Sequence, residues 1–317
     1  MTDLVTFGEA MLRYSPPDRM RLEIADQLDV RVAGAESNVA TAASRIGTDA
    51  VWISKLPDSP LGRRVVNFLH SFGLETDVIW SEEGRQGTYY IEFGGEPRGT
   101  RVVYDRERSA VTSATAAELP TDQLREASMF VTSGITPALS ETLARTTETL
   151  LRTATEAGTT TVFDVNYRSK LWSFEEARET MEPMFRDIDM LVVAERDAAN
   201  IFGIEGDPDR VLHAFDEKWG FDTIILTRGA EGAVALAEED VIEQPAVASD
   251  TYDPIGTGDA FLGVLLGRLV DGAELSEALE WGAAAAALKR TIPGDIAVIT
   301  RKEVEQVLDE QTGGIQR

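Results

Sequence analysis

Short, unbroken apolar runs recur along this chain with helical stretches between them, and that alternation limits the fold more than any other feature. Leu4–Phe7, Val51–Ser54, Val78–Trp80, Met129–Thr132, Thr161–Asp164, Met190–Val193 and Thr223–Thr227 have strand length and read as continuous apolar runs. Helical spacing fills the intervals. Ser37–Ile46 carries Val39, Ala42, Ala43 and Ile46, and a stretch bracketed by Pro60 and Gly73 carries Leu61, Val65, Phe68, Leu69 and Phe72. Glu141–Ala157 is a longer helix, and Ser173 with Glu176 forms a capping box that opens another. Strands apolar on both faces must be covered on both faces. The pattern therefore predicts an α/β fold of three layers, α/β/α, around a mainly parallel central sheet.

Two segments break the rhythm. Met11–Val32 is polar and arginine-rich and contains the Pro16-Pro17 turn, while Gln86–Arg106 alternates like antiparallel strands around Gly94-Gly95-Glu96-Pro97. Both are expected to form a small β lid projecting from the sheet, within a single domain spanning residues 1–317.

Composition excludes whole classes of chemistry. There are no cysteines, which removes disulfides, thiolate metal sites and a cysteine nucleophile, and two histidines cannot build an all-histidine metal site. His70 falls within an amphipathic helix and His213 near a helix end, and the five scattered tryptophans are expected to pack. No apolar run approaches the roughly 20 residues of a membrane span. Met1 is not followed by a basic region and apolar signal core, so a soluble, cytoplasmic protein is expected. The 55 acidic residues against 30 basic ones give a net charge of -25, which opposes binding to nucleic acid or an anionic membrane. The excess is spread along the chain. It reads as a solvated surface suited to the molar salt of a halophile, with an ordinary acidic bacterial protein as the alternative.

The strongest chemical signal is Asp253-Pro254-Ile255-Gly256-Thr257-Gly258-Asp259 followed by the apolar run Ala260–Leu266. Two glycines bring backbone N–H groups together at the start of a helix, where free amides and the positive dipole end hold anionic oxygen. Asp259 sits at the same helix start and can accept a proton from a hydroxyl. An anion cradle beside a base suits phosphoryl transfer to an alcohol; the plain alternative is a helix cap after a glycine turn.

From Phe7-Gly8-Glu9 to the C-terminal helices, the chain resembles the ribokinase-like PfkB carbohydrate kinases. Gly34-Ala35-Glu36-Ser37-Asn38-Val39-Ala40 is similar to that family's N-terminal signature, which implies that Gly34, Ala35 and Asn38 hold sugar hydroxyls. Asp253–Asp259 is similar to its C-terminal signature. That implies Asp259 as catalytic base, an anion hole of Gly256, Thr257 and Gly258, and a nucleotide contact at Asp253. Thr227-Arg228-Gly229-Ala230-Glu231-Gly232 resembles the nucleotide loop, with contacts from Thr227, Gly229 and Gly232, although the same residues make an ordinary β-turn. Tyr89-Tyr90, Tyr104–Ala110 and Asp164-Val165-Asn166-Tyr167-Arg168 resemble the 2-keto-3-deoxygluconate kinase branch.

The resemblance implies ATP and Mg²⁺ as cofactors, Asn166 near the nucleotide, and a sugar acid bound by Tyr89, Tyr104, Arg106 and Arg168. A guanidinium is the natural bidentate partner of a carboxylate, whereas surface pairing is the alternative for either arginine alone. The branch phosphorylates a primary hydroxyl of 2-keto-3-deoxygluconate or its galactonate epimer. A kinase for a neutral sugar such as fructose or ribose, or a silent sugar- or nucleotide-binding protein, remains as a rival. One departure concerns metal handling. The family's Asn-x-x-Glu is here Ala194-Glu195-Arg196-Asp197, in which Asp197 replaces the Glu in kind but Ala194 lacks the amide. Magnesium is then expected to be held through water and nucleotide oxygens. Exposed strand edges on the lid lead to the expectation of a homodimer joined there.

Overall fold

The computed structural model of the protein describes residues 2–312. The chain forms β1 (Leu4–Phe7), leaves for β2 (Met11–Ser15) and β3 (Asp29–Ala33), and returns through α1 (Ala35–Arg45), β4 (Ala50–Pro57), α2 (Pro60–His70) and β5 (Glu75–Ser81). It leaves again for β6 (Thr88–Glu92) and β7 (Arg101–Asp105). There follow α3 (Thr121–Glu126), β8 (Met129–Ser133), α4 (Ile135–Ala138), α5 (Glu141–Ala157), β9 (Thr160–Asp164) and α6 (Phe174–Met181). Next come β10 (Met190–Ala194), α7 (Glu195–Phe202), α8 (Pro208–Trp219) and β11 (Thr223–Thr227). A hairpin of β12 (Ala233–Ala237) and β13 (Asp240–Gln244) precedes α9 (Thr257–Val270), α10 (Leu275–Arg290) and α11 (Arg301–Thr312).

Nine strands make one sheet in the order β13-β12-β11-β10-β9-β8-β1-β4-β5, parallel from β11 to β5. Successive strand residues enter opposite cores. Phe130, Phe163, Leu191 and Ile224 pack on one face, and Val131, Val162, Val192 and Ile225 on the other. Both faces are dry, which is why these strands read as continuous apolar runs rather than alternating ones. The strand order reverses between β1 and β8, since β1 leads outward to β4 and β5 while β8 leads the other way. A reversal of this kind opens a crevice at the carboxyl ends of the strands, where open α/β sheets bind ligands.

The two interrupting segments join as a separate four-stranded sheet, β3-β2-β6-β7. Its two hairpin pairs are antiparallel, and β2 pairs with β6 in parallel. Pro17–Arg19 and Leu22–Ile24 form short 3₁₀ turns between β2 and β3. The inner face of this sheet buries Met11, Ala33, Tyr89 and Ile91, with Ile255 of the main body packed against them.

Three details differ from the sequence reading. The β12–β13 hairpin adds an antiparallel edge that the strand–helix rhythm did not announce. His213 lies in the middle of α8, paired with Asp209, instead of near a helix end. Trp80 is 42% exposed and lies over Gly62, so it does not join a core as the other tryptophans do. Among the described residues no helix is long and apolar enough to cross a membrane.

Candidate active site

A crossing of two helices builds the centre of the site. Helix α9 is buried from Ala260 to Gly267. Gly263 lets α1 approach so closely that a Cβ there would lie 2.3 Å from the Val39 carbonyl oxygen. That approach brings Asn38, in the first turns of α1, to Asp259 in the first turn of α9. The Asn38 amide donates to the Asp259 carboxylate at 2.7 Å. Gly256 caps α9 with φ of 81°, and a Cβ there would meet the Asp295 carbonyl oxygen at 1.9 Å, so only glycine fits. The N–H groups of Gly258 and Asp259 fall in the first turn, which has no intrahelical acceptors, and the space above the Gly258 Cα is open. The Thr257 hydroxyl and backbone N–H both donate to the Pro254 carbonyl, at 2.8 and 3.3 Å, so the unengaged amides are those of Gly258 and Asp259.

Two adjoining cavities meet at this helix start. The larger, about 450 Å³, lies between the lid and the strand ends and is rich in charged groups. The smaller, about 300 Å³, is walled mostly by apolar residues, among them Ala283, Ala286, Ala287 and Phe261, with Gln244 and Arg290 as polar members. Thr227, Thr257 and Gly258 line both, so a molecule filling the two passes directly over the free amides. Gly34, Ala35, Asn38, Tyr89, Tyr104 and Arg106 line the larger cavity, and so do Asn166, Arg168, Asp197, Gly256 and Asp259. Gly229 and Gly232 line the smaller one beside the alanine face of α10.

Asp253 is the exception among the residues singled out. Its carboxylate lines neither cavity; it accepts from Arg13, from the Gly294 amide at 2.9 Å and from the Ile255 amide at 3.1 Å. The carboxylate shapes the loop and is not free for a nucleotide.

Arg106 also differs from expectation. It is buried, and Nη2 donates to the Glu9 carboxylate, so it has a partner before any substrate arrives. Its Nε and the second Glu9 oxygen have no hydrogen-bond partner. Tyr104 stacks below this guanidinium at 5.4 Å, and Tyr89 donates its hydroxyl to Asp295 at 2.7 Å.

The sequence reading passed over several groups here. Glu36 is buried at the start of α1, where it accepts from Ser133 at 2.6 Å and Thr136 at 2.9 Å; burial pushes its carboxyl up. Burial pushes the Asp164 carboxyl up to about 7, helped by the charge on Asp259 and opposed by Arg168. Burial likewise raises Asp259 to about 7, against the Asn38 hydrogen bond and the Arg168 charge, with Asp295 and Glu36 adding repulsion. Glu36 stood inside a quoted motif, and Asp164 ends a strand at the crevice. Glu9, Arg13 and Asp295 carry no local signal, because their roles arise only from tertiary contact.

For magnesium, the wall offers the buried Asp197 carboxylate, held by Arg196 Nε at 2.9 Å. Ala194 contributes no donor, and among the described residues no three metal-binding side chains gather. This donor set fits a hydrated cation carried on phosphate oxygens, for which Asp197 would act through water.

The comparisons with known proteins agree with this geometry. Residues 1–302 match the profile of the pfkB family carbohydrate kinases. Over 315 residues the chain is 54% identical to a 2-dehydro-3-deoxygalactonokinase of Haloferax volcanii, covering 99% of each chain. It is 28% identical over 319 residues to a 2-dehydro-3-deoxygluconokinase of Bacillus subtilis, covering 98% of this chain and 96% of the relative. The crystal structure of a 2-dehydro-3-deoxygluconokinase from Thermotoga maritima matches with a TM-score of 0.91 at 33% identity, covering 97% of this chain and 99% of that one. Likeness of this extent, over a cleft that sets a carboxylate beside free helix amides, establishes that the chain belongs to the pfkB family of carbohydrate kinases.

Proposed function

We propose that the protein transfers the γ-phosphoryl group of ATP to the primary hydroxyl of a 2-keto-3-deoxy sugar acid, the galactonate or gluconate epimer, at the end farthest from the carboxylate. The observation that carries this reading is the position of Asp259 and the Gly258 amide where a charged cleft and an apolar cavity meet. Adenine suits the alanine-walled side, the sugar suits the side under the lid, and the phosphates lie between. Asp259 takes the hydroxyl proton as the new O–P bond forms, and the amides of Gly256–Gly258 take up charge on the transferred group. Arg168 favours the basic form of Asp259 against the effect of burial and lines the cleft where it can stabilise the moving negative charge. Magnesium, when bound, neutralises phosphate charge; Asp197 would hold its water.

Support for a sugar acid comes from the substrates in the relatives' names and from the Arg106 Nε, which is buried without an acceptor. The Glu9–Arg106 pair favours a second reading, a neutral-sugar kinase, since Arg106 would not stand alone over fructose. The substrate panel decides between them. A charged hydrogen bond of about 1.5–3 kcal/mol corresponds to roughly 10- to 100-fold, so kcat/KM for either 2-keto-3-deoxy acid is expected to exceed that for fructose and ribose by that factor. A preference for a neutral sugar would leave the kinase without this substrate. We further propose that the four-stranded sheet serves as the lid of one catalytic domain, that two copies join through it, and that the enzyme works in the cytoplasm.

A further inference from the structure

Two lid strands are fastened to the loop that carries the free amides, and the fastening is buried and charged. Arg13 of β2 is 2% exposed. Its Nη2 donates to Asp253 at 3.0 Å and its Nη1 to Asp295 at 2.5 Å. Tyr89 of β6 adds its hydroxyl to the other Asp295 oxygen. Both carboxylates bear directly on the helix start. Asp253 accepts from the Ile255 and Gly294 amides, and the Asp295 carbonyl lies where a Gly256 side chain would stand. Lys289, fully buried at the end of α10, closes the underside by donating to the carbonyls of Asp253 and Ile292 at 3.2 and 3.1 Å. Two cations and two carboxylates thus gather with their side chains buried, and Ile255 packs against the lid's own apolar cluster. Such a cluster holds geometry more than it adds stability, because desolvation offsets most of the attraction.

We propose that Arg13 is a positioning residue for phosphoryl transfer: by holding Asp253 and Asp295 on either side of Gly256, it sets the helix amides relative to the lid. A sugar seated under β2 and β6 and a phosphate seated on α9 then change each other's affinity. This rests on the reading of Gly256–Gly258 as the phosphoryl cradle. Linkage requires the coupling to be reciprocal, and couplings of this kind are typically about 5- to 150-fold.

The test uses the full chain as wild type, Arg13→Lys, Tyr89→Phe and Gly258→Ala. Binding of a non-hydrolysable ATP analogue is titrated with and without 2-keto-3-deoxygalactonate, beside steady-state kinetics. In the wild type the sugar acid is expected to tighten the analogue at least about fivefold. Arg13→Lys is expected to bring that factor to within twofold of one and to lower kcat by about 10- to 100-fold, as small misplacements do. The affinity for the sugar acid without nucleotide should change by less than about threefold, whereas its KM at saturating ATP should rise by the lost coupling factor, as reciprocity requires. Tyr89→Phe removes one hydroxyl without stranding a charge, so it folds even if Arg13→Lys does not, and it should lose part of the coupling. Absent coupling in the wild type, or unchanged coupling in both variants, overturns the proposal. So does a loss in which the nucleotide-free affinity for the sugar acid and kcat worsen together with the melting temperature, which is the mark of a purely structural role. Gly258→Ala separates the two readings: full activity there removes the cradle itself, whereas an inactive Gly258→Ala beside an unaffected Arg13→Lys removes only the positioning role.

Discussion

As the proposed base, Asp259 combines two demands that pull against each other. A base must lose its proton near neutral pH, yet burial raises this carboxyl from 3.8 to about 7, and only Asn38 and Arg168 favour the charged form. The free enzyme is therefore expected to gain kcat/KM as pH rises through about 7. Asp259→Asn keeps the shape but removes the base, so kcat should fall by about 100- to 10,000-fold while affinity for ATP is nearly retained. Stability moves in the opposite sense to activity. A carboxyl whose folded pKa lies above its unfolded value stabilises fully below about 4 and loses that contribution as pH rises through about 7. The asparagine variant should accordingly melt higher than wild type at pH 8, with the gap closing toward pH 4, in parallel thermal scans. A variant that keeps its turnover, or that melts lower at pH 8, would remove Asp259 from the role of buried base. Residue-scale legibility was uneven for a physical reason. Asp259 was readable because its partners, the glycines, are adjacent in sequence. The pairing of Arg106 with Glu9 was not readable, because the two lie 97 positions apart and meet only in the folded chain.

At the scale of elements, the start of α9 gives two glycines separate jobs that one motif does not distinguish. Gly256 sits at φ of 81° with Asp295 backbone against its Cα, so any side chain is strained and also collides. Gly258 is helical with nothing near its Cα, so alanine fits the fold but places a methyl group over the free amides. Gly256→Ala is expected to lose stability by more than about 1 kcal/mol, read as a drop in melting temperature. Gly258→Ala should melt as wild type and lose turnover, since its methyl group would enter the proposed phosphate space. Equal melting losses in the two variants would refute this division. The helices and parallel strands were legible because their apolar periods are local and strong; Ser37–Ile46 was placed within two residues of the observed α1. The β12–β13 hairpin was not, because Asp240–Gln244 is an edge strand with no continuous apolar run to mark it. The lid was recognised by its break in rhythm, but no spacing in the sequence encodes the parallel pairing of β2 with β6.

For the whole molecule the governing quantity is the net charge of -25. Exposed ion pairs such as Arg63–Asp58, Arg125–Asp122 and Arg145–Glu141 offset little of it, each contributing about 0–1 kcal/mol and less as salt screens them. The self-repulsion of the remaining acids acts over longer distances and is screened too. At about 0.1 M salt the screening length is about 10 Å, and at 1 M it is about 3 Å, so the repulsion between neighbouring surface acids falls most in that interval. The Arg13–Asp253–Asp295 cluster has side chains only 2–4% exposed, so salt should screen it less than the surface pairs. Loss of repulsion therefore outweighs loss of surface pairing, and the melting temperature is expected to rise steadily from 0.1 to about 2 M KCl. The same screening governs assembly. Two copies meeting at the β7 edge, where Val103 is exposed between Arg101 and Asp105, bring like-charged bodies together. The dimer should consequently be favoured at high salt and loosen at low salt. Sedimentation along the same KCl series reads this directly, with mass doubling as the melting temperature rises. A melting temperature that falls with KCl would mean that attractive pairs govern this surface after all. A monomer at about 2 M KCl, where repulsion is most screened, would exclude the lid as a joining surface.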